Sequence, residues 1–326
     1  MKQSQFEQQH QAQWQAFSAQ LAALHSGKAS AEQARSFAAD YRRLCQQLAL
    51  AESRGYSSHL IEQLQQLAMA GHQQFYRHRS PIGGQLLGFV LAGFPRLVRA
   101  EWRFVLAGML LFFGSLLGTG LLVYLNPELI YSIMASDQVA QMEQMYDPDA
   151  RRLGRFGERD SGDDWLMFGF YIMNNIGIAF QTFASGLLLG LGSLFFLLFN
   201  GLTIGAVAGH LTRIGHGEPF WSFVIGHGSF ELTAIALAGA AGLKLGWALL
   251  VPGRLRRGEA LRLAAAKAVR LIGGVVVFLL LAAFVEAYWS SMTLVGPQVK
   301  YLVGAALWLL VLAYLLLAGR GAHAPD

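Results

Sequence analysis

The run Phe104-Val-Leu-Ala-Gly-Met-Leu-Leu-Phe-Phe-Gly-Ser-Leu-Leu-Gly-Thr-Gly-Leu-Leu-Val-Tyr-Leu125 has 22 residues and no acidic or basic side chain. As a helix rising about 1.5 Å per residue, it matches the ~30 Å hydrocarbon thickness of a bilayer. It is apolar all round and offers water no polar face, so it reads as a membrane span. Arg96, Arg99 and Arg103 stand just before it. Residues 126–164, which follow, hold nine acidic residues and four arginines. Cytoplasmic flanks are enriched in Lys and Arg, so the chain is expected to enter from the cytoplasm and to place 126–164 outside as an acidic loop.

Further apolar stretches cover Trp165 to Leu211, with no acidic or basic residue before His210, and Phe220 to Val251. Two more follow, at about 271–289 and 301–319. Only 14% of residues are charged, against about 25% in a soluble domain. The expected class is all-α: a polytopic helical membrane protein with about six hydrophobic segments and a small N-terminal cytoplasmic helical bundle. The loop 252–270, with six basic residues and one acid, belongs inside, and Arg320 favours a cytoplasmic C-terminus. An odd number of crossings must then separate it from the acidic loop. Three crossings make six spans; one crossing plus re-entrant segments makes four. The polar, glycine-broken stretches around Asn174 and His227 are the candidates for re-entry, which is tolerated only inside protein. The net charge of +5 clusters beside membrane segments and suits lipid headgroups better than nucleic acid, so the bilayer is the expected partner and nucleic acid is not.

Residues 1–80 read as a cytoplasmic three-helix module. Phe6, Trp14, Phe17, Leu21 and Leu24 form one stripe, and Gly27 is placed to stop that helix. Ser30 with Gln33 forms a capping box for the next helix, whose stripe is Phe37, Tyr41, Leu44 and Leu48. A third helix from about Ser58 carries Leu60, Leu64, Leu67 and Phe75. The lone Cys45 permits no intrachain disulfide and reads as a buried thiol. The glutamine-rich N-terminus has no apolar h-region, so no cleavable signal peptide is expected. Residues 81–103, with Pro81 and Pro95, form an amphipathic pre-membrane linker suited to lying along the membrane surface. The transmembrane domain is placed at 104–320.

Within that domain, the candidate intramembrane polar site comprises Asn174, Asn175, Asn200, His227, Glu231 and Glu286. His227 and Glu231 are four apart and share a helix face. Glu286 is expected near the outer end of its span and meets them only if the His227 helix is broken or tilted. Polar side chains at this depth join helices, line a transport or lipid pathway, or bind a metal; the first reading is preferred. One histidine and two carboxylates can hold zinc if a position stays open for water, but the zinc-protease pattern of two histidines is absent. His210 and His216 are expected at the membrane interface. Gly201, Gly205 and Gly209 form a helix-packing stripe, and Gly114/Gly118, Gly186/Gly190 and Gly242/Gly246 repeat the spacing. Phosphate loops and serine nucleophile elbows are absent, so no cofactor and no ATP hydrolysis are expected. The acids at Asp147, Asp149, Asp160, Asp163 and Asp164 do not follow calcium-loop spacing.

Several motifs together resemble the SpoIIM (stage II sporulation protein M)-like integral membrane family along nearly the whole chain. They are Tyr41-Arg-Arg-Leu-Cys-Gln-Gln-Leu-Ala-Leu-Ala51, Gly71-His-Gln-Gln-Phe-Tyr76 and Phe94-Pro-Arg-Leu-Val-Arg99, then Asn174-Asn-Ile-Gly-Ile-Ala-Phe180 and Asn200-Gly-Leu-Thr-Ile-Gly205. The most specific is Ile225-Gly-His-Gly-Ser-Phe-Glu-Leu232, supported by Ala283-Phe-Val-Glu-Ala287. The resemblance implies a multi-pass protein of the bacterial cytoplasmic membrane and transfers no catalytic residue. It further implies a scaffold within an envelope complex, with a MoxR-type ATPase system and von Willebrand A-domain proteins as candidate partners. The expected function is therefore a non-enzymatic inner-membrane scaffold, self-associating through glycine-rich spans as a homodimer or other homo-oligomer. The alternatives are a transporter or lipid-handling protein with a polar cavity, and an intramembrane metal-dependent enzyme.

Overall fold

Three short helices, each with one apolar stripe, can bury those stripes only against one another. Residues 1–83 do so with α1 (Gln3–His25), α2 (Ala31–Ser53) and α3 (Ser58–Phe75). Phe6, Phe17 and Leu24 meet Phe37, Leu44 and Ala51 of α2 and Leu60, Leu64 and Ala68 of α3. Trp14, Leu21, Tyr41, Leu48 and Leu67 pack around this core half-buried. Ser30 caps α2 as a reciprocal box. Its Oγ accepts from Gln33 N–H at 3.2 Å, and its own N–H donates to Gln33 Oε1 at 2.9 Å. Cys45 corrects its expectation: it is only partly buried, because Leu44 takes the core position beside it. In this computed structural model the described residues are 1–26, 29–75, 82–148, 161–292 and 294–321, so Gly27, Tyr76, Pro81, Asp149 and Asp160 lie outside them.

In the second unit, 84–326, every secondary-structure element among the described residues is helical. The boundary falls inside α4 (Ile82–Gly88), which a π-turn (Phe89–Gly93) and α5 (Phe94–Ala100) follow. The long helices follow: α6 (Trp102–Leu125), α8 (Ser161–Ala184), α9 (Leu191–Arg213), α10 (Gly217–Leu250), α11 (Arg257–Phe284) and α12 (Pro297–Leu317). Between α6 and α8 lies α7 (Ser136–Met145). By length and composition, α6, α9, α10, α12 and α11 extended to Ser290 are long and apolar enough to cross a membrane. α6 buries only the stripe Gly108, Phe112, Leu116, Thr119 and Val123. Leu110, Leu117 and Leu121 stay exposed, a face suited to lipid.

Residue pairs set the direction of each helix. Gly201, Gly205 and Gly209 of α9 lie in order against Phe112, Leu116 and Gly120, so α9 runs parallel to α6. Gly108 meets Ala236 and Ala240 while Glu101, just before α6, pairs with Lys244, so α10 returns. His227 reaches Ser290 while Phe230 packs on Phe278, so α11 runs against α10. Trp165 stacks edge-on to Tyr288 while Gly186 abuts Gly242, so α8 also runs the full length between the two ends. Three long helices thus separate the acidic region from the basic loop. Asn174 and His227 both sit in unbroken helices, so neither marks a re-entrant break.

Two expectations need correction. Residues 94–100 do not lie free along a surface. Phe94 is 1% exposed and fills the space beside Gly274, against Phe278 and Tyr314, where only a residue without a side chain leaves room. Arg96 Nε donates to Gly319 O at 2.7 Å, and the Arg99 guanidinium donates to Leu315 O and Ala318 O at 2.7 Å. These arginines satisfy carbonyls left open where α12 ends and oppose its dipole. Nor is 126–148 simply a polar loop. A 3-10 turn (Pro127–Ser132) and α7 dock on the bundle through Ile130 and Val139, which pack with Val123 and Ala206. Tyr146 packs edge-on against Phe220.

Candidate functional site

α10 is the helix around which the bundle is arranged, packing against α6, α8, α9, α11 and α12. Its small residues (Ala234, Ala236, Ala238, Ala240, Ala241 and Gly242 among them) let the surrounding backbones come close. A side chain on Gly186 would run into Gly242 O, and one on Gly246 into the Gly190 backbone, so the two glycine pairs read from sequence face each other. Gly190 has φ of 85° and opens α9 after a 3-10 turn (Ser185–Leu187), a conformation glycine adopts without strain. The stripe Gly201, Gly205 and Gly209 is covered by α6 of the same chain, whereas Gly114 and Gly118 have open space around them.

His227 is 5% exposed and lies one turn before Glu231 on α10, with Nε2 and Glu231 Oε2 3.8 Å apart. The Phe223 ring meets the imidazole edge-on at 5.3 Å. Glu286 comes from the end of α11, where the helix widens into a π-turn over Val285–Ser290. A π-turn places one extra residue in the turn, a distortion common at functional sites. Here it turns Glu286, Ala287 and Ser290 inward together. The distortion that lets Glu286 meet His227 is therefore in α11, while α10 stays unbroken. One ligand-capable atom each from His227, Glu231 and Glu286 lie within 4.8 Å of one another.

Around this trio the structure adds residues that sequence reading missed. Ser290 Oγ is 3.0 Å from His227 Nδ1, and Lys300 Nζ of α12 donates to Ser290 O at 2.8 Å. Lys300 is 2% exposed; as the only basic residue in its apolar segment, it was a signal in plain view. The asparagines bond elsewhere. Asn174 donates to Asn175 Oδ1 at 2.9 Å, and Asn200 donates to Phe196 O of its own helix at 2.7 Å. His210, expected at the interface, is 5% exposed and sits 2.7 Å from Glu143 of α7.

A second charged cluster lies at the opposite end. Glu101 Oε2 accepts from Lys244 Nζ at 2.7 Å, and Glu101 Oε1 is 3.3 Å from Lys267 Nζ. Burial alone would raise the Glu101 pKa, but the Lys244 hydrogen bond and charge, then Lys267, outweigh it and hold the carboxyl below its ordinary value. The lone acid among Arg96, Arg99 and Arg103 was the readable sign of this cluster.

The Stage II sporulation protein M (SpoIIM) family profile matches residues 86–291, well over half of the chain. The chain belongs to the SpoIIM family. The SpoIIM match takes in His227, Glu231, Glu286 and Ser290, together with Glu101, Lys244 and Lys267, and ends before Lys300. Residues 4–77 match a domain of unknown function, DUF8413, so the SpoIIM region is preceded by a second recognised module. No curated protein and no solved structure matches the chain.

Proposed function

We propose that this SpoIIM-family chain is a non-enzymatic scaffold of the bacterial inner membrane that holds partner proteins in an envelope-associated complex. The observation that supports this reading most is the interior, where backbones meet at α10 through Gly186, Gly242 and Gly246, and α9 meets α6 through Gly201, Gly205 and Gly209. A bundle closed by backbone contact suits a rigid platform better than a pathway that must open for solutes. The segments with surface to offer partners are then the N-terminal helical unit and the α7 region.

The basic residues support an orientation with both termini cytoplasmic. Glu101 contacts Lys267, and Arg99 contacts the end of α12. The arginine-rich pre-membrane segment, the start of α11 and the end of α12 therefore share one end of the bundle, and positive charge favours the cytoplasmic side. An ATPase system of the MoxR type is the partner class we assign to the N-terminal unit. A second copy of the chain would have to bind through a face other than the Gly201–Gly209 stripe.

The test is removal of residues 1–80 from the chain expressed in its host, followed by membrane fractionation and partner recovery. The scaffold reading expects membrane insertion to persist and cytoplasmic partners to be lost. Full partner recovery by the truncated chain contradicts it.

A further inference from the structure

His227, Glu231 and Glu286 bring one imidazole and two carboxylates to a single point between two helices. Two carboxylates enclosed in an apolar bundle repel each other and lose hydration, costs that a bound cation would relieve. Lys300 Nζ, from α12, donates to the backbone carbonyl of Ser290.

The geometry points to a site for one divalent transition-metal cation, zinc in class, ligated by His227, Glu231 and Glu286 and clamping α10 to the π-turn of α11. Four observations carry it. The donor set mixes imidazole nitrogen with carboxylate oxygen, which suits zinc and its first-row neighbours; magnesium and calcium prefer oxygen alone. Ser290 holds Nδ1 of His227, and the other ring nitrogen, Nε2, lies on the side of Glu231. Such an outer partner is what fixes the ring of a metal-binding histidine. Bonds of about 2.0–2.2 Å in a tetrahedral site put ligand atoms roughly 3.3 Å apart. The observed spread of up to 4.8 Å is wider than that, so loading the site requires the two glutamate side chains to close on the ion. Finally, Glu231 side-chain exposure is 19% while His227 and Glu286 are buried, so the three donors converge inside the bundle with Glu231 nearest its surface.

This site is independent of the scaffold reading, since a clamp between two helices serves a platform, a pathway or an enzyme equally. Full-length protein in detergent, stripped with a chelator, is titrated with Zn2+ and separately with Mg2+. Metal content and thermal midpoint are read on monodisperse fractions. The site predicts one Zn2+ per chain, a higher midpoint with Zn2+, and no response to equal Mg2+. Glu231→Gln and Glu286→Gln should weaken Zn2+ binding by more than the about 10–100-fold expected for losing an outer partner. Glu259→Gln, at the start of α11 and outside the cluster, should bind as wild type does. Absence of Zn2+ binding by wild type, or stoichiometric binding retained in both glutamine variants, overturns the site. Where a glutamine variant aggregates, cobalt on the stripped wild type decides. Strong visible absorption of a tetrahedral nitrogen–oxygen site supports the proposal, and its absence overturns it.

Discussion

Ser290 Oγ lies 3.0 Å from Nδ1 of His227, and the carbonyl of the same serine accepts a bond from Lys300. One residue of the π-turn thus links α10, α11 and α12. Replacing it with alanine removes the hydroxyl without touching a proposed ligand. Ser290→Ala should weaken Zn2+ binding by about 10–100-fold, as the loss of an outer partner does. The protein should remain monodisperse, because the backbone bond from Lys300 survives. Unchanged affinity in a binding titration would show that the serine does not orient the ring.

Glu101 makes stability depend on pH in a definite direction. Its carboxyl is held below the ordinary 4.5 by Lys244 and Lys267 despite its burial. The folded pKa is lower than the unfolded one. Its contribution is therefore fully present above the ordinary carboxylate range and is lost as pH falls through the lowered folded value. Thermal midpoints measured from neutral pH down to acid should fall for wild type and flatten for Glu101→Gln. At neutral pH, Glu101→Gln should cost about 3–5 kcal/mol, because Lys244 is left enclosed and unpaired. Lys267 is largely exposed, so Lys267→Ala should cost about 0–1 kcal/mol.

Glycines that look alike in sequence should respond differently to a methyl group. A side chain on Gly205 would run into Leu116 O, whereas Gly114 on the same helix pair has nothing within 4 Å. Gly205→Ala should destabilise the bundle by about 1–3 kcal/mol through overpacking. Gly114→Ala should leave the thermal midpoint in detergent unchanged. Equal effects of the two substitutions would contradict the α6–α9 contact.

Arg99 should matter to α12 although it lies far from it in sequence. Its guanidinium satisfies two carbonyls, Leu315 O and Ala318 O. Arg99→Leu should cost about 1.5–3 kcal/mol, the range for a hydrogen bond to a charged group. Hydrogen exchange should show faster opening at the end of α12 and no change in α1–α3. Uniform protection across α12 in the variant would refute the capping role.

Features that depend on near neighbours were legible in the sequence. The Ser30–Gln33 cap needs only a three-residue spacing, and the 104–125 span needs only an uninterrupted apolar run. His227 and Glu231 were readable as a pair because four residues on a helix fix their shared face. The sequence does not put Glu286 beside them, because its approach depends on a π-turn that adds one residue to the helical register. No periodicity in Ala283–Ser290 announces that shift. Glu101 and Lys244 are 143 residues apart, and only the tertiary fold brings them together. The Gly201–Gly209 stripe was readable as a packing surface, but the sequence does not say whether the facing helix belongs to the same chain.

The most direct test of the His227–Glu231–Glu286 site is X-ray absorption at the zinc edge on the zinc-loaded, monodisperse full-length protein. Zinc held by these three side chains gives a shell of about four nitrogen and oxygen atoms at roughly 2.0–2.2 Å, with the outer scattering of a single imidazole and no sulfur. A shell containing sulfur from Cys45, two or more imidazoles, or no bound zinc at all would contradict it.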